Sequence, residues 1–190
     1  MSSRFPGEGW AWSVDDRRVV RLLRAAVIVL LVLGGLAFVA RGADRPPDPH
    51  FVAAGGNGSV PGFTDVAFRV DRAAGVARCA LLADTEEQRA KGLMGRTDLA
   101  GRDAMVFRFP TDTSAGFYMR NTPMPLSLGW FDASGRFLGA TDMAPCGDRS
   151  GCPTYSPPGP YRQAVEVPQG GLGRLGMVAG SRLEVGGPCR

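Results

Sequence analysis

The apolar runs of this chain are short and regularly interrupted, and this limits the folds it can form more than any other feature. Seven runs of four to eight residues carry aliphatic, β-branched and aromatic side chains, with Gly, Pro, Asp and Ser between them. Runs of this length and spacing are typical of the strands of an all-β domain. The predicted strands are residues 76–83, 104–109, 116–120, 126–132, 136–143, 163–167 and 182–185.

Helical patterns in the same region are few and brief. Thr85 and Gln88 have the spacing of a capping box, which predicts a short helix that Gly92 ends, and a second helix is indicated near residues 172–175. A parallel α/β sheet would need longer crossover helices, so antiparallel pairing is favoured. We predict a mainly β fold, a compact antiparallel β-sandwich or barrel with one or two short helices, preceded by an N-terminal transmembrane helix.

The N-terminal part carries a different pattern, which is typical of membrane targeting. Residues 1–24 form a basic segment, residues 25–40 are an uncharged apolar run, and Arg41 follows directly. Sixteen helical residues span about 24 Å, slightly less than the roughly 30 Å hydrocarbon core, and flanking arginines can snorkel to the interface. The positive charge before the run predicts that residues 1–24 are cytoplasmic and that the rest of the chain lies outside the cytoplasm.

Two fates of residues 25–40 stay open. A cleaved signal peptide needs small residues at the cleavage site, and the positions after Ala37 and Gly42 fit this requirement poorly. We therefore predict a retained single-pass anchor in the cell membrane. Secretion is the alternative if the segment is cleaved.

Residues 41–62 connect this segment to the predicted domain. They read RGADRPPDPHFVAAGGNGSVPG, with prolines first and glycines after, and they offer little apolar surface to bury. Such a composition predicts a flexible linker, and the alternative is an arm ordered on the domain. The predicted extracytoplasmic β-domain is then residues 63–190.

The basic balance of the chain lies near its N-terminus. Residues 1–45 hold seven arginines against four acidic residues, whereas residues 46–190 hold fifteen Lys and Arg against fourteen acidic residues. Because the domain is nearly neutral, no phosphate-binding surface follows from the net charge. We predict the membrane as a partner through the N-terminal segment, and no nucleic acid.

All four cysteines follow the apolar run. An even number of cysteines outside the cytoplasm favours disulfides over free thiols. Cys146 and Cys152 are close neighbours in a loop rich in Gly and Pro, so we pair them. This leaves Cys79 to pair with Cys189, near the two ends of the domain.

Chemistry that relies on imidazole is disfavoured in the domain. His50 is the only histidine, and it lies in the predicted linker. Ser-His-Asp hydrolysis, Cys-His catalysis and imidazole zinc sites are therefore unsuited to it. The methionines occur singly among apolar residues, which is typical of core side chains and not of copper ligands. We predict neither a metal nor another cofactor.

The stretch FYMRNTPMPL, residues 117–126, is the most unusual of the domain. In a strand Phe117 and Met119 share one face, and Pro123 ends the strand because it has no N–H for a sheet. The result is a corner whose polar residues could offer donors to an anionic or carbonyl-bearing ligand. The candidate ligand-binding residues are Arg120, Asn121, Thr122, Asp132 and Tyr155.

Five segments occur in an order that resembles a known family. They are TEEQRAKGLM at 85–94, AMVFRF at 104–109, the stretch 117–126 with WFD at 130–132, MAPC with CPTY between 143 and 155, and AVEV at 164–167. Over residues 76–185 the chain is similar to the uncharacterised bacterial and archaeal family called domain of unknown function 192. The resemblance implies a compact, mainly β sandwich or barrel with short helices, often with an N-terminal signal or anchor, and it implies no particular reaction.

The chain departs from the family pattern at two positions. Members often have Asp where this chain has Ser127, and Lys where it has Arg120. If that acid were catalytic in the family, this protein would lack it. The departures therefore weigh against an enzyme.

Three functions stay open. The first is a membrane-tethered extracytoplasmic module that binds a small ligand or an envelope component. The second is an envelope-associated enzyme that uses carboxylates near Arg120 and Asn121, with Tyr155 as a further participant. It requires at least two of Asp132, Asp142 and Glu166 to face one pocket. The third is a purely structural domain stabilised by two disulfides.

Overall fold

The computed structural model describes residues 51–53, 55 and 58–189. They belong to a compact unit that comprises Pro46–Arg190. The predicted basic segment, the predicted anchor at residues 25–40 and His50 lie outside the described residues. Among the residues described, none of the helices is long and apolar enough to cross a membrane.

The described part of the chain is mainly β, as predicted, and its helices are short. Its strands are β1 (Thr64–Val70), β2 (Arg78–Ala83), β3 (Ala104–Thr113), β4 (Phe117–Tyr118), β5 (Leu126–Phe131), β6 (Phe137–Met143), β7 (Thr154–Tyr155), β8 (Tyr161–Pro168) and β9 (Leu183–Val185). Its helices are α1 (Glu86–Lys91), α2 (Gly171–Arg174) and a 3-10 turn at Asp71–Ala73.

Seven strands form one sheet in the order β6-β5-β8-β3-β2-β1-β9, and β4 pairs with β7 in a small second sheet. All these pairs are antiparallel except β2 and β3, which are parallel. The prediction of antiparallel pairing was therefore wrong for this pair. The crossover that joins these two strands, residues 84–103, contains one six-residue helix, α1, and is otherwise irregular. A short helix is enough here, because the irregular chain covers the rest of the distance back to the start of β3.

The large sheet curls into a half-barrel. The turn before β6 reaches the start of β9, where the Leu183 amide donates to the Gly135 carbonyl at 2.7 Å and the Phe137 amide donates to the Ser181 carbonyl at 3.0 Å. Gly135 has a φ of 78°, and a β-carbon there would collide with the Leu183 carbonyl oxygen. The seven main strands thus form one curled sheet, not the two stacked sheets of a sandwich.

Residues alternate along the strands between two faces of this sheet, and both faces are buried. On the first face lie Leu81, Met105, Phe107, Leu126, Leu128, Trp130 and Ala164. On the second face lie Phe68, Leu82, Val106, Phe131, Val165 and Leu183. Helix α2 packs on the second face, whereas irregular segments that contain Leu93, Leu99, Met119, Met124 and Cys146 cover the first.

Both predicted disulfides are present. Cys146 and Cys152 are joined with their Cα atoms 6.0 Å apart, and Cys79 and Cys189 are joined with theirs 5.7 Å apart. Both Cα separations lie within the usual range for a disulfide. The short bridge closes a loop on the first face, and the long bridge ties β2 to the C-terminal end of the domain.

Part of the predicted linker lies against the domain. Phe51 and Ala53 are buried next to Ala67 and Cys79, and the Ala53 amide donates to the Pro188 carbonyl at 3.2 Å. Val60 is buried as well. These residues agree with the alternative to a flexible linker, an arm ordered on the domain. Most of residues 41–57 lie outside the described part.

Candidate functional site

A cavity of about 290 Å³ opens on the first face of the sheet, next to α1. This volume is close to the lower end of the range for small-ligand sites, roughly 300 to 1,000 Å³. At about 30 Å³ for each water-sized group, the cavity holds about ten of them. The volume therefore suits a small ring system.

The cavity wall is aromatic. The rings of Phe107 and Phe117 meet edge to face with centroids 5.0 Å apart, and those of Phe109 and Tyr161 do so at 5.2 Å. The Tyr161 hydroxyl donates to the Ala115 carbonyl at 2.8 Å. Burial raises the pKa of Tyr161, so the phenol stays protonated. These contacts leave apolar ring surfaces in a defined arrangement along the wall.

Glu166 is the one acidic residue on the buried part of this wall. It is 4% exposed and lies on β8 between Met105 of β3 and Leu128 of β5. Among the described residues, none donates a hydrogen bond to its carboxyl or forms an ion pair with it. Burial raises the pKa of Glu166 to about 8, so the carboxyl is mainly protonated at neutral pH.

Helix α1 forms the mouth of the cavity, and the predicted capping box holds its start. The Gln88 amide donates to the Thr85 hydroxyl at 3.2 Å, and the Thr85 amide donates to the Gln88 side chain at 3.0 Å. Gly92 ends the helix with a φ of 45°, as predicted. This fixes three charged side chains of α1 around the opening, those of Glu86, Arg89 and Lys91.

Arg89 is immobilised at this mouth. Its Nη1 donates to the carbonyl oxygens of Asp84 at 2.6 Å and Arg108 at 2.9 Å. Its guanidinium lies 4.9 Å from the centre of the Phe109 ring. The side chain therefore contributes a positive charge beside the opening, while its Nη1 hydrogen bonds are already made to backbone.

Of the five predicted ligand-binding residues, Thr122 lines the cavity. It is buried, and its amide donates to the carbonyls of Met119 at 3.0 Å and Cys146 at 3.2 Å. Its hydroxyl donates to the Arg120 carbonyl at 3.3 Å. The Cys146–Cys152 loop thus holds this residue in the cavity wall.

The other residues of that corner face elsewhere. Arg120 is exposed and pairs with Asp148 at 2.7 Å. Asn121 has a φ of 52°, its carbonyl accepts from the Gly95 amide at 2.7 Å, and its amide donates to the Gly147 carbonyl at 3.3 Å. The stretch FYMRNTPMPL is therefore a corner held by backbone hydrogen bonds, and neither Arg120 nor Asn121 lines the cavity.

Tyr155 and Asp132 have backbone partners as well. The Tyr155 hydroxyl accepts from the Ala144 amide at 3.1 Å, and Tyr155 pairs with Phe117 across the small sheet. Asp132 lies in the predicted hairpin turn, where its carboxylate accepts from the amides of Ser134 and Arg136. Burial acts to raise the pKa of Asp132, but these hydrogen bonds outweigh it and the pKa is lowered.

The three candidate carboxylates lie apart. Asp142 accepts from the Ser127 hydroxyl and from Gln169, and the Ser127 hydrogen bond is the main reason that its pKa is lowered. Ser127 alternates with the first-face residues of β5, so this pair belongs to the other face. The structure does not bring two of Asp132, Asp142 and Glu166 into one pocket. Among the described residues, no cluster of His, Cys, Asp or Glu could hold a metal ion.

The sequence contains one signal for this cavity. Glu166 interrupts the otherwise apolar run AVEV in a strand that is buried on both faces. A lone acid at such a position indicates a special environment, because burial disfavours its charged form. The aromatic residues around it were not predicted to form a site, because they come from separate strands.

The segments that build this cavity are shared with a known family. The model of the DUF192 family, described as an uncharacterized ACR, matches residues 69–185. The chain belongs to the DUF192 family. The match includes β2 to β9, α1 and α2, and thus all the residues named above in the cavity wall.

Two solved structures resemble this DUF192 chain. A protein from Sinorhizobium meliloti 1021, described as a candidate transcription regulator, has 25% identity and a TM-score of 0.56, with 67% of this chain and 98% of that chain covered. A protein of unknown function from Novosphingobium aromaticivorans DSM 12444 has 25% identity and a TM-score of 0.55, with 75% and 99% covered. No curated protein matches the chain.

Proposed function

We propose that this DUF192 protein is a small-ligand binding module, and that the ligand occupies the aromatic cavity on the first face. The observation that carries the proposal is Glu166, a buried carboxyl that faces the cavity and has no hydrogen-bond partner among the described residues. Because the carboxyl lines an open cavity, its donor and its acceptor are available to a bound ligand. A ligand that pairs with it makes hydrogen bonds in a surrounding of low dielectric constant, where they are stronger than in water.

We also propose a cellular location for the domain. Residues 25–40 tether it to the cell membrane, and the domain lies outside the cytoplasm. Two observations support this: the arginines that precede the apolar run, and the two disulfides, which persist in oxidising compartments. If correct, the chain resists alkaline extraction from membranes, and both disulfides are found by mass mapping without reduction. Free thiols in protein taken directly from cells would contradict this placement.

DNA binding is not part of the proposal, although one related structure is described as a candidate transcription regulator. Residues 46–190 carry fifteen basic residues against fourteen acidic ones. Affinity for nucleic acid comes largely from neutralised phosphates, and a nearly neutral domain offers little of it.

Binding can be tested with a variant that fills the cavity. Ala115 lines the cavity and is exposed, so Ala115→Trp should block the opening without disturbing the core. Ala133→Trp in the exposed hairpin turn is the matched control. Small aromatic fragments are added to the full chain in nanodiscs, and binding is followed by ligand-observed NMR. Fragments should bind the parent and Ala133→Trp but not Ala115→Trp; no binding to the parent, or equal binding to all three, refutes the proposal.

The enzyme with two paired carboxylates is not supported, because only Glu166 of the three lines the cavity. An enzyme that uses Glu166 alone is the second candidate, and the pKa of Glu166 favours it. A carboxyl with a pKa of about 8 in a cleft is suited to act as a general acid at neutral pH. Fragments that bind are incubated with the full chain, and products are sought by mass spectrometry. Loss of product formation in Glu166→Gln, with fragment binding retained, would support catalysis. Bound fragments that are recovered unchanged would leave a binding module.

A further inference from the structure

The surroundings of Glu166 restrict the chemistry of the ligand. The residues opposite it on the neighbouring strands, Met105 and Leu128, are apolar. Two hydroxyls of the wall are engaged, since Thr122 donates to the Arg120 carbonyl and Tyr161 donates to the Ala115 carbonyl. Among the described residues, no hydrogen bond to this carboxyl stabilises its ionised form.

The charged and titratable groups that face the cavity lie on other elements. Helix α1 contributes Glu86, Arg89 and Lys91, β4 contributes Tyr118, and β8 contributes Tyr161; β3 contributes only Phe107 and Phe109. Arg89 is bonded through Nη1 to two backbone carbonyls and lies over Phe109. None of these groups is bonded to Glu166 among the described residues. The carboxyl thus meets a ligand in an apolar, aromatic surrounding.

A protonated carboxyl presents two complementary groups side by side. Its hydroxyl donates one hydrogen bond, and its carbonyl oxygen accepts another. The group that satisfies both at once carries an acceptor and a donor at the same spacing, which is the arrangement of a cis-amide in a ring. A flat ring also suits the wall of Phe107, Phe117 and Tyr161, where ring faces and edges are available for stacking.

Charged ligands fit less well. An ammonium group would gain from the aromatic faces, but it would need an ionised Glu166 and would pass Arg89 and Lys91 at the mouth. A carboxylate would pass the mouth easily and could accept from the Glu166 hydroxyl, but it would offer no donor to the Glu166 carbonyl oxygen and would bury its own charge. An uncharged ligand avoids both penalties.

We propose, resting on the binding function above, that the ligand is a flat, uncharged ring with a cis-amide group, a lactam or a cyclic imide. Its N–H donates to the carbonyl oxygen of Glu166, and its C=O accepts from the Glu166 hydroxyl. The ring packs against the exposed edges of Phe117 and Tyr161, whose own ring centroids are 6.3 Å apart. No bond is made or broken in this step, and the proton stays on Glu166.

The test uses probes that differ in one group. They are 2-pyridone, which has the cis-amide, N-methyl-2-pyridone, which lacks the N–H, and benzyltrimethylammonium, which is cationic. Affinities for the full chain in nanodiscs are measured by calorimetry at about pH 6 and about pH 9.5, on either side of the Glu166 titration. We expect 2-pyridone to bind best at the lower pH and to lose about tenfold in affinity at the higher pH, and its N-methyl analogue to bind about tenfold more weakly at the lower pH.

Two variants separate a pairing role of Glu166 from a structural one. Glu166→Gln keeps an acceptor and a donor side by side, so it should bind 2-pyridone at both pH values and abolish the pH dependence. Glu166→Leu removes both groups and should lose binding. Circular dichroism checks that both variants fold, and the pH dependence of the parent tests the proposal without any variant.

The outcomes distinguish this inference from the binding function. Tighter binding of the cation than of 2-pyridone at the lower pH, or equal binding of 2-pyridone and its N-methyl analogue, overturns the inference. If other fragments bind and Ala115→Trp blocks them while 2-pyridone does not bind, the inference fails and the binding function stands. If no fragment of any class binds to the cavity, both fail.

Discussion

The two faces of the main sheet are both buried, but they are filled in different ways. On the second face, side chains such as Phe68, Phe131 and Val165 pack against each other and against α2. On the first face, the cover consists of irregular segments that the Cys146–Cys152 disulfide and a helix cap hold in place. The cavity and the unpaired Glu166 both belong to this first face.

The difference shows how one sheet can provide both stability and a site. A face on which side chains pack closely against each other and against a helix leaves no room for a ligand, because protein interiors pack at near-crystalline density. A face covered by loops can leave a cavity, and side chains of separate strands then line it. The second face supplies the rigid support, and the first face carries the proposed function.

The largest expected effect concerns the pH dependence of stability. Because burial raises the pKa of Glu166 from 4.5 to about 8, the folded chain keeps a proton between these pH values that the unfolded chain has released. The free energy of unfolding therefore falls as pH rises through this window, by at most about 5 kcal/mol at about 1.36 kcal/mol per pKa unit. Glu166→Gln should remove this fall, as measured by urea unfolding at a series of pH values.

The control for this prediction is Glu184→Gln, which changes an exposed glutamate that pairs with Arg69 on the surface. This variant should keep the pH dependence of the parent. If Glu166→Gln and the parent lose stability equally between these pH values, Glu166 does not differ from an ordinary surface acid. The first face would then not differ from the second by a buried carboxyl with a raised pKa.

The two disulfides should contribute unequally to stability: Cys146–Cys152 holds the cover of the first face, whereas Cys79–Cys189 ties β2 to the C-terminal end of the domain. Cys79–Cys189 closes a separation of 110 residues and Cys146–Cys152 one of 6. Chain entropy predicts that replacing both cysteines of a bridge by serine lowers stability by about 5 kcal/mol for the long bridge and about 2 kcal/mol for the short one. Urea unfolding measures both. Equal losses would show that strain or local contacts outweigh chain entropy here.

Truncation of one phenylalanine on each face tests the packing directly. Phe68 is fully buried on the second face, so Phe68→Ala should destabilise the fold by about 3 to 5 kcal/mol. Phe117 borders the cavity and is only half-buried, so Phe117→Ala should destabilise it by about half as much. Thermal and urea unfolding compare the two variants. A larger effect at Phe117 would mean that the first face is the better packed of the two.

The smallest expected effect concerns the cap of α1. Thr85→Ala removes the hydroxyl that accepts from the Gln88 amide, and we expect a loss of about 1 kcal/mol. Because α1 loses its cap, its amide hydrogen exchange should become faster, while that of β8 stays unchanged. Thr85→Ser keeps the hydroxyl and should restore protection. Loss of protection in β8 as well would mean that the two faces are not independent.

Local features of this chain were predictable because their causes are local. The capping box of Thr85 and Gln88 and the turn at Asp132 and Gly135 depend on residues three apart, and both form as predicted. The strands around them follow from short apolar runs. Strand β1 was not predicted, although Val66, Phe68 and Val70 alternate along it.

Long-range pairing was harder to predict. The parallel pair β2–β3 and the contact of Gly135 with Leu183 join residues that lie far apart along the chain. The ordered arm at Phe51 depends on where the C-terminal end passes, since Ala53 bonds to Pro188 there. Nothing in a single segment encodes such a partner, because the free energy comes from burial shared by both.

For the site, the sequence by itself determined the residue types: the acid Glu166 in an apolar strand, the charges of α1 and the phenylalanines of β3 and β4. Only the tertiary structure decided that these residues surround one cavity and that Arg120 and Asn121 do not. The physical reason is that strand order sets which side chains share a face, and a carboxyl changes its pKa according to that face.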